Sequence, residues 1–189
     1  MIEKNKKKIE NAVHDIIEAI GDDPKRPSIQ ETPARVATAY EEIFAETGKQ
    51  HFEDYKIFNV AENAGMVLVQ DIPFYSMCEH HILPFFGTVN VAYVPQNGKI
   101  IGLSKIPRLV DFASHRPSVQ ENITVMIADE LQRILNPKGV AVSISARHMC
   151  MEMRGINKSG LFTYTNKFLG TFADDHELKN EFLQQTHQR

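Results

Sequence analysis

The sequence predicts an α+β domain with an antiparallel sheet, and three observations carry that reading. Met66 to Ile72, Gly87 to Pro95 and Val140 to Met151 are rich in valine and isoleucine and partly alternate, as strands do. The turn Pro95-Gln96-Asn97-Gly98 predicts that the second strand continues as a hairpin into Lys99-Ile100-Ile101-Gly102. Between that hairpin and the last strand lie two segments with helical spacing, so the pattern is strands around a helical pair rather than an alternating βαβ series.

The chain opens with helices. Ile9, Val13, Ile16, Ile17 and Ile20 follow helical spacing until Gly21 and Pro24 end the run. A second helix is predicted from Thr32-Pro33, a capping residue followed by proline, through Val36, Tyr40, Ile43 and Phe44 to Gly48. Within the strand region, Ser104 is placed to cap a helix carrying Leu109, Val110 and Phe112, closed by Arg116-Pro117. Ser118-Val119-Gln120-Glu121 reads as a capping box that opens the next helix, whose buried stripe is Ile123, Met126, Ile127, Ile134 and Leu135. Asn136-Pro137-Lys138-Gly139 stops it, and a short C-terminal helix is predicted near Asp175 to Gln185. The expected division is a helical segment over 1–48 and a main domain over 49–189.

Composition narrows the function classes. With 189 residues, 42% hydrophobic and 24% charged, the chain has enough apolar material for a real core. A net charge of −3 gives no general attraction to nucleic acid or to an anionic membrane, so any anion must be held by a local cluster. Lys6, Lys7 and Lys8 are not followed by an apolar stretch of signal-peptide type, and no run approaches a membrane span. Two cysteines in such a chain predict a cytoplasmic protein with reduced thiols.

Those cysteines each sit beside histidine, in Cys78-Glu79-His80-His81 and in His148-Met149-Cys150. Thiolate and imidazole are ligands that zinc prefers. Cys78 and His81 are three apart, so one turn points both the same way, and a strand through His148 and Cys150 would show both on one face. Four candidate groups exist where a catalytic zinc needs three and an open position; a disulfide or inert core thiols are the competing readings. Lys105 and Arg108 share one face at the start of a predicted helix, where free N–H groups attract phosphate, although cations there also serve simply to solvate a helix. Glu121 has the alternative role of reciprocal carboxylate in its capping box.

Taken together, Cys78-Glu79-His80-His81, the run Gly102-Leu103-Ser104-Lys105 with Arg108, the stretch Arg116 to Glu121, and His148-Met149-Cys150 leading to Arg154-Gly155 resemble GTP cyclohydrolase I. The resemblance extends from Thr32-Pro33-Ala34-Arg35 to about Phe172. It implies a tunnelling fold, with helices on one face of an antiparallel sheet and sheets of several subunits closing into a barrel, assembled as a decamer of two pentamers. It implies hydrolytic opening of the imidazole ring of GTP, release of formate and formation of 7,8-dihydroneopterin triphosphate. Carried onto this chain, Cys78, His81 and Cys150 would hold zinc, and His80 and His148 would move protons. Glu121, assisted by Gln120, would read guanine. Lys105, Arg108 and Arg154 would hold the triphosphate, with Arg35 reaching in from a neighbouring subunit. Ser104 would serve the ribose rearrangement. A nitrile reductase on the same fold and a zinc-stabilised binding module remain the alternatives.

Overall fold

The computed structural model describes residues 3–61 and 64–187, and its contacts divide the chain into Met1–Thr47 and Gly48–Arg189. In the first unit, α1 (Glu3–Ala19) and α2 (Thr32–Ile43) pack together, with Ile17 and Ala37 buried. Gly21, at φ 88°, supplies the left-handed residue that ends the first helical stretch. Thr32 does not cap α2: Glu31 precedes the helix, and Pro33 lies in its first turn.

The second unit contains β1 (Ile57–Asn59), β2 (Val67–Cys78), β3 (Pro84–Val94), β4 (Lys99–Ile101), α3 (Lys105–Ser114), β5 (Pro117–Ser118), α4 (Gln120–Leu135), β6 (Gly139–His148), α5 (Met149–Glu152), β7 (Thr163–Gly170), α6 (Thr171–Asp174) and α7 (His176–His187). The main sheet has the order β5-β2-β3-β6-β7. Its three long pairings are antiparallel, and only the two-residue β5 runs parallel to its neighbour. One face buries Phe74, Phe85, Val89, Val91, Tyr93, Val142 and Ile144 against Leu109 and Val110 of α3 and Ile123, Ile127 and Leu131 of α4. On the opposite face, Ala92 and Ala141 meet Phe172 and Phe182 of the C-terminal helices.

Period-two alternation along β2 positions the site. Ile72, Phe74, Ser76 and Cys78 are buried in turn, so Cys78 is the last member of a core-facing row.

Four local expectations are corrected. The turn at Asn97 (φ 53°) and Gly98 (φ 67°) forms, but β4 pairs with β1 rather than continuing as a partner of β3. The capping box does not form, because Ser118 is drawn into β5 opposite Cys78 and Val119 precedes α4 without a side-chain cap. Ser104 precedes α3 but likewise makes no side-chain cap bond. The last predicted strand stops at His148, and Met149–Glu152 coil into a helical turn, so Cys150 does not continue the strand face.

Candidate active site

The turn after β2 is tightened by its own backbone. Cys78 O accepts from His81 N–H at 3.3 Å and Ile82 N–H at 2.8 Å, with Ile82 at φ 51°. Glu79 N–H donates to Ser118 O at 3.0 Å, tying the turn to β5. Both imidazoles consequently crowd the thiol: Cys78 Sγ lies 3.7 Å from His81 Nδ1 and 3.9 Å from His80 Nδ1.

Cys150 approaches from the other side on α5. Arg147, one residue before the end of β6, donates to both Glu152 oxygens at 2.8 and 2.6 Å, which closes the turn over the buried Glu152. The result gathers one donor atom each from Cys78, His81 and Cys150 within 4.8 Å of one another, while His80 and His148 stay outside that group. Both cysteines are free thiols, which removes the disulfide reading. Burial pushes the Cys150 thiol up, and the neighbouring Cys78 pushes it further in the same direction. Two thiols so placed resist ionising together, a penalty that a divalent cation between them removes. Two sulfurs and an imidazole nitrogen are a donor set that fits zinc and leaves a fourth position open.

His148 is held differently. Its Nε2 lies 2.8 Å from Gln120 Oε1, and its ring stacks on Phe85 with centroids 4.8 Å apart and planes 3° from parallel. Gln120 is 1% exposed, and its amide nitrogen faces Ile144 O (3.1 Å), Thr163 O (3.0 Å) and Thr165 Oγ1 (3.1 Å). Reversing the amide would set its oxygen against two carbonyl oxygens, so Oε1 must face the imidazole as an acceptor. His148 therefore donates from Nε2–H and keeps its lone pair at Nδ1. Burial lowers the imidazole's pKa, against the opposing influence of the Glu121 carboxylate.

The remaining sequence-predicted residues fall in four places. Glu121 is exposed in the first turn of α4, next to Gln120. Lys105 and Arg108 come together at the start of α3, where both pair with Asp54, and Ser104 is exposed just before them. Arg154 lies against the metal-ligand candidate, its Nη1 3.2 Å from His81 Nε2. Arg35 belongs to α2 of the first unit, where it pairs with Glu31. Sequence reasoning did not find Asp54, whose partners are 51 and 54 residues away. Nor did it find the structural commitment of Gln120, for which the only signal was its adjacency to Glu121.

Two thiols and an imidazole gathered where β2 and β6 end are a donor set suited to a metal-dependent enzyme, and a cation pair stands at the start of α3. The family model for GTP cyclohydrolase I matches residues 9–187. Among curated proteins, GTP cyclohydrolase 1 of Lactiplantibacillus plantarum is 61% identical over 182 residues, covering 96% of each chain. GTP cyclohydrolase 1 of Latilactobacillus sakei is 57% identical over 186 residues, covering 97% of this chain and 98% of that protein. A crystal structure of the archaeosine synthase QueF-Like aligns at TM-score 0.46 with 18% identity over 57% of this chain and 96% of that one, too distant to add to the assignment. The chain belongs to the GTP cyclohydrolase I family, and its fold is the tunnelling fold of that family. No helix among the described residues is long and apolar enough to cross a membrane.

Proposed function

We propose that this protein opens the imidazole ring of GTP with water, releases C8 as formate and recloses the remainder as 7,8-dihydroneopterin triphosphate, the entry to tetrahydrofolate and pterin synthesis. The observation that carries the reading is the convergence of Cys78, His81 and Cys150 donor atoms within 4.8 Å, in a chain whose curated relatives are named GTP cyclohydrolase 1.

Cys78, His81 and Cys150 would hold zinc. When bound there, zinc supplies a Lewis acid that makes water reactive near neutral pH. The chain's own groups do the rest. His148, fixed by Gln120, exchanges protons at Nδ1. His80 is exposed beside the same thiol and serves as the second proton carrier. Glu121 accepts from the ring N–H and the exocyclic amine of guanine, a donor pair that adenine lacks. Gln120 acts through His148 rather than on the base, because its amide is already committed on every side. Lys105, Arg108 and Arg154 hold the triphosphate, and Ser104 serves the ribose rearrangement. Arg35 completes an adjoining site in a cytoplasmic decamer of two pentamers, in which the two-unit division at Thr47 separates an assembly segment from the catalytic domain.

Incubating the purified, metal-loaded protein with GTP tests the reading. Formate and a pterin chromophore should appear together and in equal amount. Consumption of GTP without formate would overturn it.

A further inference from the structure

Asp54 sits in the segment leading to β1 and takes no part in the site as read from the sequence. One of its carboxylate oxygens accepts from Lys105 Nζ and the other from Arg108 Nη1. The backbone that delivers it is pinned on both sides. Upstream, Arg116 Nη1 donates to Lys49 O at 3.1 Å, Phe52 N–H to Glu130 Oε2 at 2.8 Å, and Arg133 Nη2 to Phe52 O at 3.0 Å. The Phe52 ring is buried against Phe112, with centroids 5.7 Å apart. Downstream, Gly102 N–H donates to Lys56 O at 3.0 Å. Asp54 is therefore presented to the cation pair by fixed chain rather than by a loose side loop. Both cations stand at the start of α3, where the helix dipole opposes them, so an anion between them is favourable.

We propose that Asp54 is an internal competing anion: its carboxylate occupies the phosphate position between Lys105 and Arg108, and a polyphosphate binds there by displacing it. This rests on the reading of Lys105 and Arg108 as triphosphate ligands. Its chemical sense lies in turnover. The ring chemistry leaves the triphosphate untouched, so substrate and product present the same group to the same cations. A clamp without a competitor would grip the product as firmly as the substrate, whereas the returning carboxylate shortens the product's stay.

Only molecules with the clamp free of Asp54 bind, and apparent affinity falls by that fraction. Two exposed contacts of this kind keep the clamp occupied roughly three- to tenfold more often than open. The test uses the full-length, metal-loaded enzyme, with calorimetric binding of inorganic tripolyphosphate and of guanosine, and steady-state kinetics with GTP. Asp54→Asn should lower the tripolyphosphate Kd and the GTP KM by about three- to tenfold, leave guanosine binding unchanged, and not raise kcat. Asp111→Asn removes an equal charge from an exposed position on the same helix and should change none of these. Unchanged or weaker tripolyphosphate binding in Asp54→Asn would overturn the proposal, as would equal tightening by Asp111→Asn. Lys105→Ala separates the two levels. If it fails to weaken tripolyphosphate binding, the phosphate reading itself is wrong; if it weakens binding while Asp54→Asn does not tighten it, only the role of Asp54 falls.

Discussion

Replacing Gln120 with alanine separates a residue that supports the imidazole from one that reads the base. The side chain is 1% exposed, and truncation withdraws its amide from Ile144 O, Thr163 O and Thr165 Oγ1 and its oxygen from His148 Nε2. Thr165 Oγ1 keeps Thr124 Oγ1 at 2.6 Å, so the main losses are at Ile144 O, Thr163 O and the imidazole N–H. Each buried group left unsatisfied costs ~1–3 kcal/mol, which places the total at about 3 kcal/mol. For a chain of this size that lowers Tm by roughly 6–12 °C. Activity should fall with it, because the ring loses both its orientation and its preferred tautomer. Since general acid–base catalysis is worth about 10²–10⁴ in rate, a loss of ~10–100-fold in kcat is expected, with little change in KM for GTP. Gln120→Glu should be no better than alanine at neutral pH, because a carboxylate cannot donate to the two carbonyls. Melting curves and steady-state formate release decide the matter. A variant that melts like the parent while KM climbs and kcat holds would refute the reasoning and return Gln120 to direct contact with guanine.

The exposed position of Glu121 and the missing capping box predict that Glu121→Ala loses activity on GTP while costing less than ~1 kcal/mol of stability, its residual favourable term being the α4 dipole; a large drop in Tm would contradict this. Cys150→Ser should lose metal and activity together, whereas His148→Gln should keep near-stoichiometric zinc and still be severely impaired; metal analysis beside formate release distinguishes a three-ligand site from a four-ligand one. Burial would raise the Glu130 carboxyl, but bonds from Arg133, His51 and Phe52 N–H outweigh it and hold its pKa below the ordinary value. Its stabilising contribution is therefore complete above the unfolded-state pKa and is lost as pH falls through the lower folded-state value. Glu130→Gln should accordingly melt lower at neutral pH and show a shallower loss of Tm on acidification; an acid limb as steep as the parent's would dismiss that group as a contributor.

The legible parts of this molecule were those encoded locally. Cys78 and His81 could be paired from their spacing because one short turn contains both. The helical stripe on α4 was readable because Ile123, Ile127 and Leu135 recur at helical spacing, and all three are buried; Leu131, buried with them, was not singled out. Where local pattern failed, a contact from elsewhere had won. Alternation suggested a strand through Cys150, yet the Arg147–Glu152 pair accompanies a helical turn there. Ser118 looked like a cap, but its backbone pairs with β2. β7 went unread: its outer position leaves it without a doubly buried apolar run, and Asn166 and Lys167 interrupt the pattern. The partners of Asp54 and the bonds of Gln120 span 24 to 54 residues, beyond the reach of any local rule.

Cys78 closes the buried row Ile72, Phe74, Ser76 and Cys78, and this limits how portable the site is. A designer who transplanted only Cys78-Glu79-His80-His81 onto another scaffold would carry the donors without the strand that aims the sulfur. The smallest transferable unit is β2 with the layer beneath it, together with the α5 turn that returns Cys150. Within this protein the same connection makes packing a tuning dial for chemistry. Trimming Phe74, well inside the core, shifts the platform on which the thiol stands, so variants selected for altered metal preference can be expected to accumulate beneath the site as well as around it.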